Sequence, residues 1–164
     1  MIESLFQFAP LCRDLLRNYQ WPDIGDDVLI YEDFATLDDE QREQLPVPCI
    51  AIFYAGETVE ATPQQQITMF RQLWDIGGYI RYDLDAEATQ RNGGEIQFRL
   101  MDALIARRVS ADFNLIGFVS TLEPVFLPDR RAAFYGVRFS TVFDRRFGVS
   151  QLPDRLASFY NLRT

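Results

Sequence analysis

The sequence predicts an α+β fold: an N-terminal helix, two antiparallel strand pairs forming a mainly antiparallel sheet, and a central helix packed on it. Three observations carry that expectation. Apolar residues recur at spacings of three and four through positions 2–19, they alternate or run continuously in four strand-like segments, and a second helical stripe lies between the two strand pairs.

In the first stripe Ile2, Leu5, Phe6, Ala9, Cys12, Leu15, Leu16 and Tyr19 share one face, with Arg13, Asp14, Arg17 and Asn18 outside it. Pro10 falls within the pattern and cannot donate to the Phe6 carbonyl, so a kink or restart is expected there, and the helix ends before Trp21-Pro22. Positions 23–46 are acidic. They accommodate a short strand at Val28–Tyr31 and a short helix at Asp38–Gln44 capped by Thr36 or Asp38. Val47–Tyr54 is apolar on both parities, as expected of a strand covered on both faces, with Pro48 near its start. A polar loop from Gly56 through Gln66 follows. The next strand alternates cleanly: Trp74, Ile76, Ile80, Tyr82 and Leu84 against Asp75, Tyr79, Arg81 and Asp83, with Gly77-Gly78 marking a bulge or a close backbone approach.

Asn92-Gly93-Gly94 reads as a break before the central helix Ile96–Arg108, whose acidic start (Glu95) and arginine-rich end suit the helix dipole. In the second strand pair, Ile116, Phe118 and Leu122 line one face of the earlier strand. Tyr135, Val137, Phe139 and Phe143 line one face of the later strand, opposite Phe134, Arg138, Ser140 and Asp144. A loop of about nine residues containing Pro124, Pro128, Arg130 and Arg131 joins them, long for a hairpin. No repeat or linker divides the chain, so residues 1–146 read as one domain. Residues 147–164 read as a tail with a short helical pattern (Leu152, Leu156, Phe159, Tyr160), docked on its own domain or on a neighbour.

The 164 residues are 48% hydrophobic and 14% aromatic, enough for a core without disulfides or metals. Cys12 and Cys49 both lie in apolar patterns and read as buried free thiols, with a disulfide or two-thiol metal site as the alternative. No leader pattern or long uncharged apolar run appears, which fits a soluble protein of a reducing cytoplasm. Net charge is −8, unevenly spread: residues 1–90 hold 17 acidic and 5 basic side chains, residues 91–164 hold 7 and 11. Such polarity suits contact between copies, and equally a solvated surface. The acids at 23–46 lack the fixed spacing of a calcium loop and read as a solvated or interfacial face rather than a metal site.

The chain contains no histidine and no lysine, which removes the usual base of serine and cysteine hydrolases and all Schiff-base chemistry. Carboxylate chemistry alone remains, and Asp83, Asp85 and Asp144 have no matched helper. The sequence therefore implies no enzyme, no catalytic residue, no metal and no cofactor. All 16 basic residues are arginine, the residue better suited to bidentate and buried ion pairs. An isoelectric point near 4.5 disfavours specific DNA binding.

The run Leu45-Pro46-Val47-Pro48-Cys49-Ile50-Ala51-Ile52-Phe53-Tyr54, ending in Ala55-Gly56, resembles the first core strand of phage tail terminator (tail completion) proteins. Gln72-Leu73-Trp74-Asp75-Ile76 resembles that family's second strand. The break at Gly93-Gly94, the helix Ile96–Arg108 and the strand Ala133–Phe143 followed by Asp144 complete a likeness over residues 1–145, in element order and apolar rhythm. It is similar to the terminators of contractile-tailed phages and R-type bacteriocin tails. The resemblance implies a structural virion protein, assembled in the host cytoplasm as a ring, usually a hexamer, at the head-proximal end of the tail. The ring stops tube polymerisation and presents a joining surface to the neck; its partners are further copies of itself, the tube protein, and sheath or connector proteins. Genomic DNA passes through the lumen without specific binding. Glu57, Glu60, Arg71, Arg130, Arg131, Arg145, Arg146, Phe159 and Tyr160 are the expected intersubunit or tube contacts. The acidic connection 22–44 and the tail 147–164 depart from the family pattern. Alternatives are another neck or head–tail joining protein, a carboxylate-based hydrolase, and an acidic DNA-mimic binding protein.

Overall fold

Alternating side chains over residues 67–81 and 132–146 place two fifteen-residue strands side by side at the centre of the sheet. In the computed structural model, which describes residues 6–19, 29–31, 47–61, 67–81, 86–128 and 131–146, the chain runs α1 (Phe8–Arg17), β1 (Leu29–Tyr31), β2 (Cys49–Ala61), β3 (Ile67–Arg81), α2 (Ala86–Leu104), β4 (Gly117–Thr121), β5 (Val125–Leu127) and β6 (Ala132–Arg146). The sheet is ordered β1-β2-β3-β6-β4, with β5 also paired to β6. Every pairing is antiparallel except β1 with β2. This is the α+β class expected, with an N-terminal and a central helix.

Both helices contribute to one core on one face of the sheet. Phe8, Cys12 and Leu16 from α1 and Ile96, Leu100 and Leu104 from α2 meet Ile50, Ile52, Trp74, Ile76, Ile80, Val137, Phe139 and Phe143. The rows expected from alternation in β3 and β6 are the buried rows. The Tyr19 hydroxyl donates to Asp102 at 2.9 Å, tying the end of α1 to α2. Cys12 and Cys49 are buried free thiols, and burial pushes the Cys12 thiol far above its ordinary range.

Several boundaries differ from the sequence expectation. Helix α1 starts at Phe8, so Pro10 falls in the first turn, where its missing amide costs no intrahelical bond and no kink is needed. Ile2 and Leu5, the expected helix at 38–44, residues 82–85 and the tail lie outside the described residues. Of the expected polar loop 56–66, residues 56–61 are strand: β2 continues to Ala61, because β3 supplies partners that override weak local apolarity, and residues 62–66 lie outside the described residues. The nine-residue loop before β6 contains β5. Phe118, expected on one face with Ile116 and Leu122, is about half exposed in the last strand of the sheet order, and the register shifts after it, between Phe118 and Ser120.

The central helix is displaced most. It begins at Ala86, with Glu87 rather than Glu95 in its first turn, and it runs through Gly93-Gly94. Glu95 lies mid-helix and pairs with Arg99 one turn on. The helix stops at Leu104 because Ala106 takes a left-handed conformation (φ 58°). Ala106 and Arg107 then exchange backbone bonds with Ile116 at 3.0 and 2.8 Å, so Arg107 and Arg108 lie beyond the last turn. Gly93 is buried because the Tyr135 ring lies against the helix backbone: a Cβ there would sit 2.4 Å from the ring. Gly77-Gly78 marks close approach rather than a bulge. A Cβ on Gly77 would meet the Phe134 ring at 2.3 Å, and one on Gly78 would meet Ile96 at 2.9 Å.

The two helical glycines should therefore respond oppositely. Gly94 has open space around its Cβ direction, so Gly94→Ala should raise stability by about 0.5–1 kcal/mol through helix propensity. Gly93→Ala should lower it by about 1–3 kcal/mol through overpacking. Urea unfolding of both variants checks the sign of each.

Candidate assembly surface

Past the Trp74 row, β2, β3 and β6 continue side by side as a ribbon, whose Phe70–Phe143 row, bordered by Phe113, still packs in the core. Its cross-strand rows run Glu57–Gln72–Thr141, Thr58–Arg71–Val142, Glu60–Met69–Asp144 and Ala61–Thr68–Arg145, with Ile67 opposite Arg146. Five of the residues expected at an interface, Glu57, Glu60, Arg71, Arg145 and Arg146, thus fall in neighbouring rows although they span ninety positions of sequence. Glu57 and Arg71 are exposed. Arg131 is not with them. It lies in the turn before β6, where its amide donates to the Pro128 carbonyl at 3.1 Å. Fourteen strand steps at ~3.3 Å put that end of β6 about 46 Å from Arg145. Arg130, Phe159 and Tyr160 lie outside the described residues.

An irregularity in β2 sets the ribbon's facing. The register shifts between Tyr54 and Gly56, and Gly56 has φ 126°, a conformation that favours glycine. Tyr54 shares the Trp74 row and Glu57 the Gln72 row, so both residues face the helix side. The Tyr54 hydroxyl donates to Glu57. A chain of rings anchors the ribbon's base: Phe6–Tyr54, Tyr54–Trp74, Trp74–Phe8, Phe8–Phe113, Phe113–Phe143 and Phe143–Phe70 have centroids 5.0–5.9 Å apart. Gln72 and Thr141 are fully buried beside it.

On the opposite sheet face Arg138 donates to both carboxylate oxygens of Asp75, at 2.6 and 2.7 Å. The pair bridges directly opposed residues of β3 and β6 and raises the Arg138 pKa, chiefly through the hydrogen bonds. Phe134 lies across Gly77 there, in contact with Phe53 and Tyr79. Both charges are committed to each other, so the pair is structural in geometry. A shallow cleft is lined by Pro48, Ile80, Arg81, Asn92, Glu95, Ile96 and Arg99. The one carboxylate among these residues, Glu95, is held by Arg99. Its described lining offers a charged, partly apolar surface. No cluster of three metal-ligating side chains occurs among the described residues, and no described helix is long and apolar enough to cross a membrane.

A further surface had no clear sequence signal. The outer edge of β6 is lined by residues 113–127: a bridge from Phe113 to Phe143, then β4, a bond from the Leu122 amide to the Gly136 carbonyl (2.9 Å), then β5. Every residue of β4 after Gly117 is exposed. Its apolar residues sit on both parities, a pattern that sequence reading assigns to burial.

No protein-family model matches the chain, and no curated protein is significantly similar to it.

Burial, the largest cause in each case, raises the pKa of Tyr19, Tyr54 and Tyr135; hydrogen bonds to Asp102 and Glu57 add to it at the first two. A folded pKa above the unfolded value near 10 stabilises the fold fully below pH 10, and that contribution is lost as pH rises through the folded pKa. Stability should therefore be flat in these groups at neutral pH and fall above about pH 10. Denaturant midpoints across that range, followed with tyrosinate absorbance, check it; Tyr54→Phe should make the fall shallower.

Proposed function

We propose that this chain is a ring-forming structural subunit that caps a phage tail tube, halts its polymerisation and presents the joining surface to the neck. The observation that carries the reading is the β2–β3–β6 ribbon, which gathers Glu57, Glu60, Arg71, Arg145 and Arg146 at one end of the subunit while Arg131 stands at the other. A capping subunit needs two such ends, one complementary to the last tube ring and one that is not. The resemblance in element order to tail terminators supports the same role. On this reading the partners are further copies of the chain, arranged as a hexamer, together with the tube protein and neck or sheath proteins. The protein belongs to the head-proximal end of the virion tail, and its work is done by shape rather than proton transfer.

Negative-stain images of the purified protein, alone and mixed with isolated tail tubes, should show rings and capped tube ends. Arg71→Glu should leave the fold intact and reduce capped ends by roughly tenfold, as expected for one charged contact worth about 1.4 kcal/mol. A protein that stays monomeric at high concentration and leaves tube ends bare would falsify the reading.

A further inference from the structure

Leu115, Phe118, Val119, Val125 and Phe126 are each 45–54% exposed, and all lie along the β4–β5 edge of the sheet. An open strand edge with an apolar surface is a template for another chain. The apolar pattern here reads the same from either end. About Leu122, the run Phe118-Val119-Ser120-Thr121-Leu122-Glu123-Pro124-Val125-Phe126 sets Phe against Phe and Val against Val. The backbone repeats that symmetry. The ladder to β6 gains one residue on each side of Leu122: between Phe118 and Ser120, and between Leu122, bonded to Gly136, and Val125, opposite Phe134. Pro124 falls within the second irregularity. Phe118 and Phe126 both stand on the helix side, opposite Phe139 and Ala133 of the core row. The Leu122 amide points inward to Gly136 at 2.9 Å, so alternation turns the backbone groups of Thr121 and Glu123 outward. At Ile116 the chain closes its own edge through Ala106 and Arg107, which leaves open the stretch centred on Leu122. Charge does not oppose self-contact. Residues 107–131 hold four arginines and three acids, of which Asp129 and Arg130 lie outside the described residues, and Glu123 is the one charge within 113–128.

We infer that this edge pairs antiparallel with the same edge of a second copy, about a two-fold axis through Leu122, joining the two sheets into one. In that register Phe118 of one copy faces Phe126 of the other, Val119 faces Val125 and Thr121 faces Glu123, while Arg131 comes beside Asp112. Helix α2 borders the same site: the Gln97 side chain donates to the Leu122 carbonyl at 3.4 Å, and the adjoining Phe98 is 69% exposed. The exposed parts of these apolar side chains come to roughly 500 Å² per copy and about 1,000 Å² in a pair, the scale a specific interface needs. A two-fold contact of this kind is complete with two copies. It is separate from ring closure in the capping role, which would use other surfaces.

The test is sedimentation equilibrium on the full chain over a dilution series, with a thermal melt of each variant. The wild type should associate through a reversible dimer. Thr121 is exposed, so its variants should keep the wild-type melt. Thr121→Glu sets carboxylate against carboxylate on both sides of the axis and should weaken the dimer roughly tenfold. Thr121→Arg faces Glu123 twice and should tighten it by a similar factor. Adding Glu123→Gln to Thr121→Arg should cancel that gain, and raised salt should shrink both shifts. A wild type that stays monomeric, or a dimer that Thr121→Glu and Thr121→Arg fail to move in opposite directions, overturns the inference. Capping is read separately on isolated tail tubes. Capped ends from a protein without this dimer leave the proposed function standing, whereas a dimer that responds as expected and leaves tube ends bare overturns that function and not this contact.

Discussion

Fifteen consecutive residue pairs between β3 and β6 hold this molecule together. The ladder joins the first strand pair to the second, and both helices pack against the rows it exposes on one face. Its length also fixes the subunit's reach. The half of the ladder under α1 and α2 buries Trp74, Ile76, Val137 and Phe139, while the other half runs on as the backbone of the ribbon. Where the ladder must admit a neighbour at close range it carries glycine, as at Gly77 beneath the Phe134 ring.

Much of this was legible in the sequence because period-2 and period-3.6 burial leave strong marks on residue choice. The rows Trp74–Ile76–Ile80 and Tyr135–Val137–Phe139–Phe143, and the stripe Phe8–Cys12–Leu16, could be read directly. The misreadings share a cause: local chemistry was overruled by a partner distant in sequence. Gly93-Gly94 looks like a break until Tyr135 is seen to require a helix without a side chain there. Positions 57–61 look like a loop until β3 offers its edge. Glu57, Glu60, Arg71 and the Arg145-Arg146 pair were named on the resemblance alone, and their gathering into neighbouring rows depends on strand register. The β4–β5 edge was missed because the stretch from Pro124 was read as a loop and only Ile116, Phe118 and Leu122 were placed on a strand face.

The described ion pairs and tyrosine hydrogen bonds tie separate parts of the chain together. Asp75 and Arg138 lock two opposed strands, Glu95 and Arg99 pair along α2, and Tyr54 and Tyr19 give their hydroxyls to Glu57 and Asp102. A guanidinium held bidentate fixes direction as well as sign. On the proposed function, that arrangement suits a subunit whose specificity lies in the relative placement of its two ends.

The shift at Gly56 has a consequence for how such a subunit can change. One additional residue in β2 reverses which side each later position presents, so the composition of the ribbon is phased independently of the composition of the body. Deleting that residue would exchange the inward and outward sides of β2 beyond it while leaving Cys49–Phe53 seated as before. A lineage could thus change the set of groups on each side of the ribbon by gaining or losing a single codon, without repacking the interior.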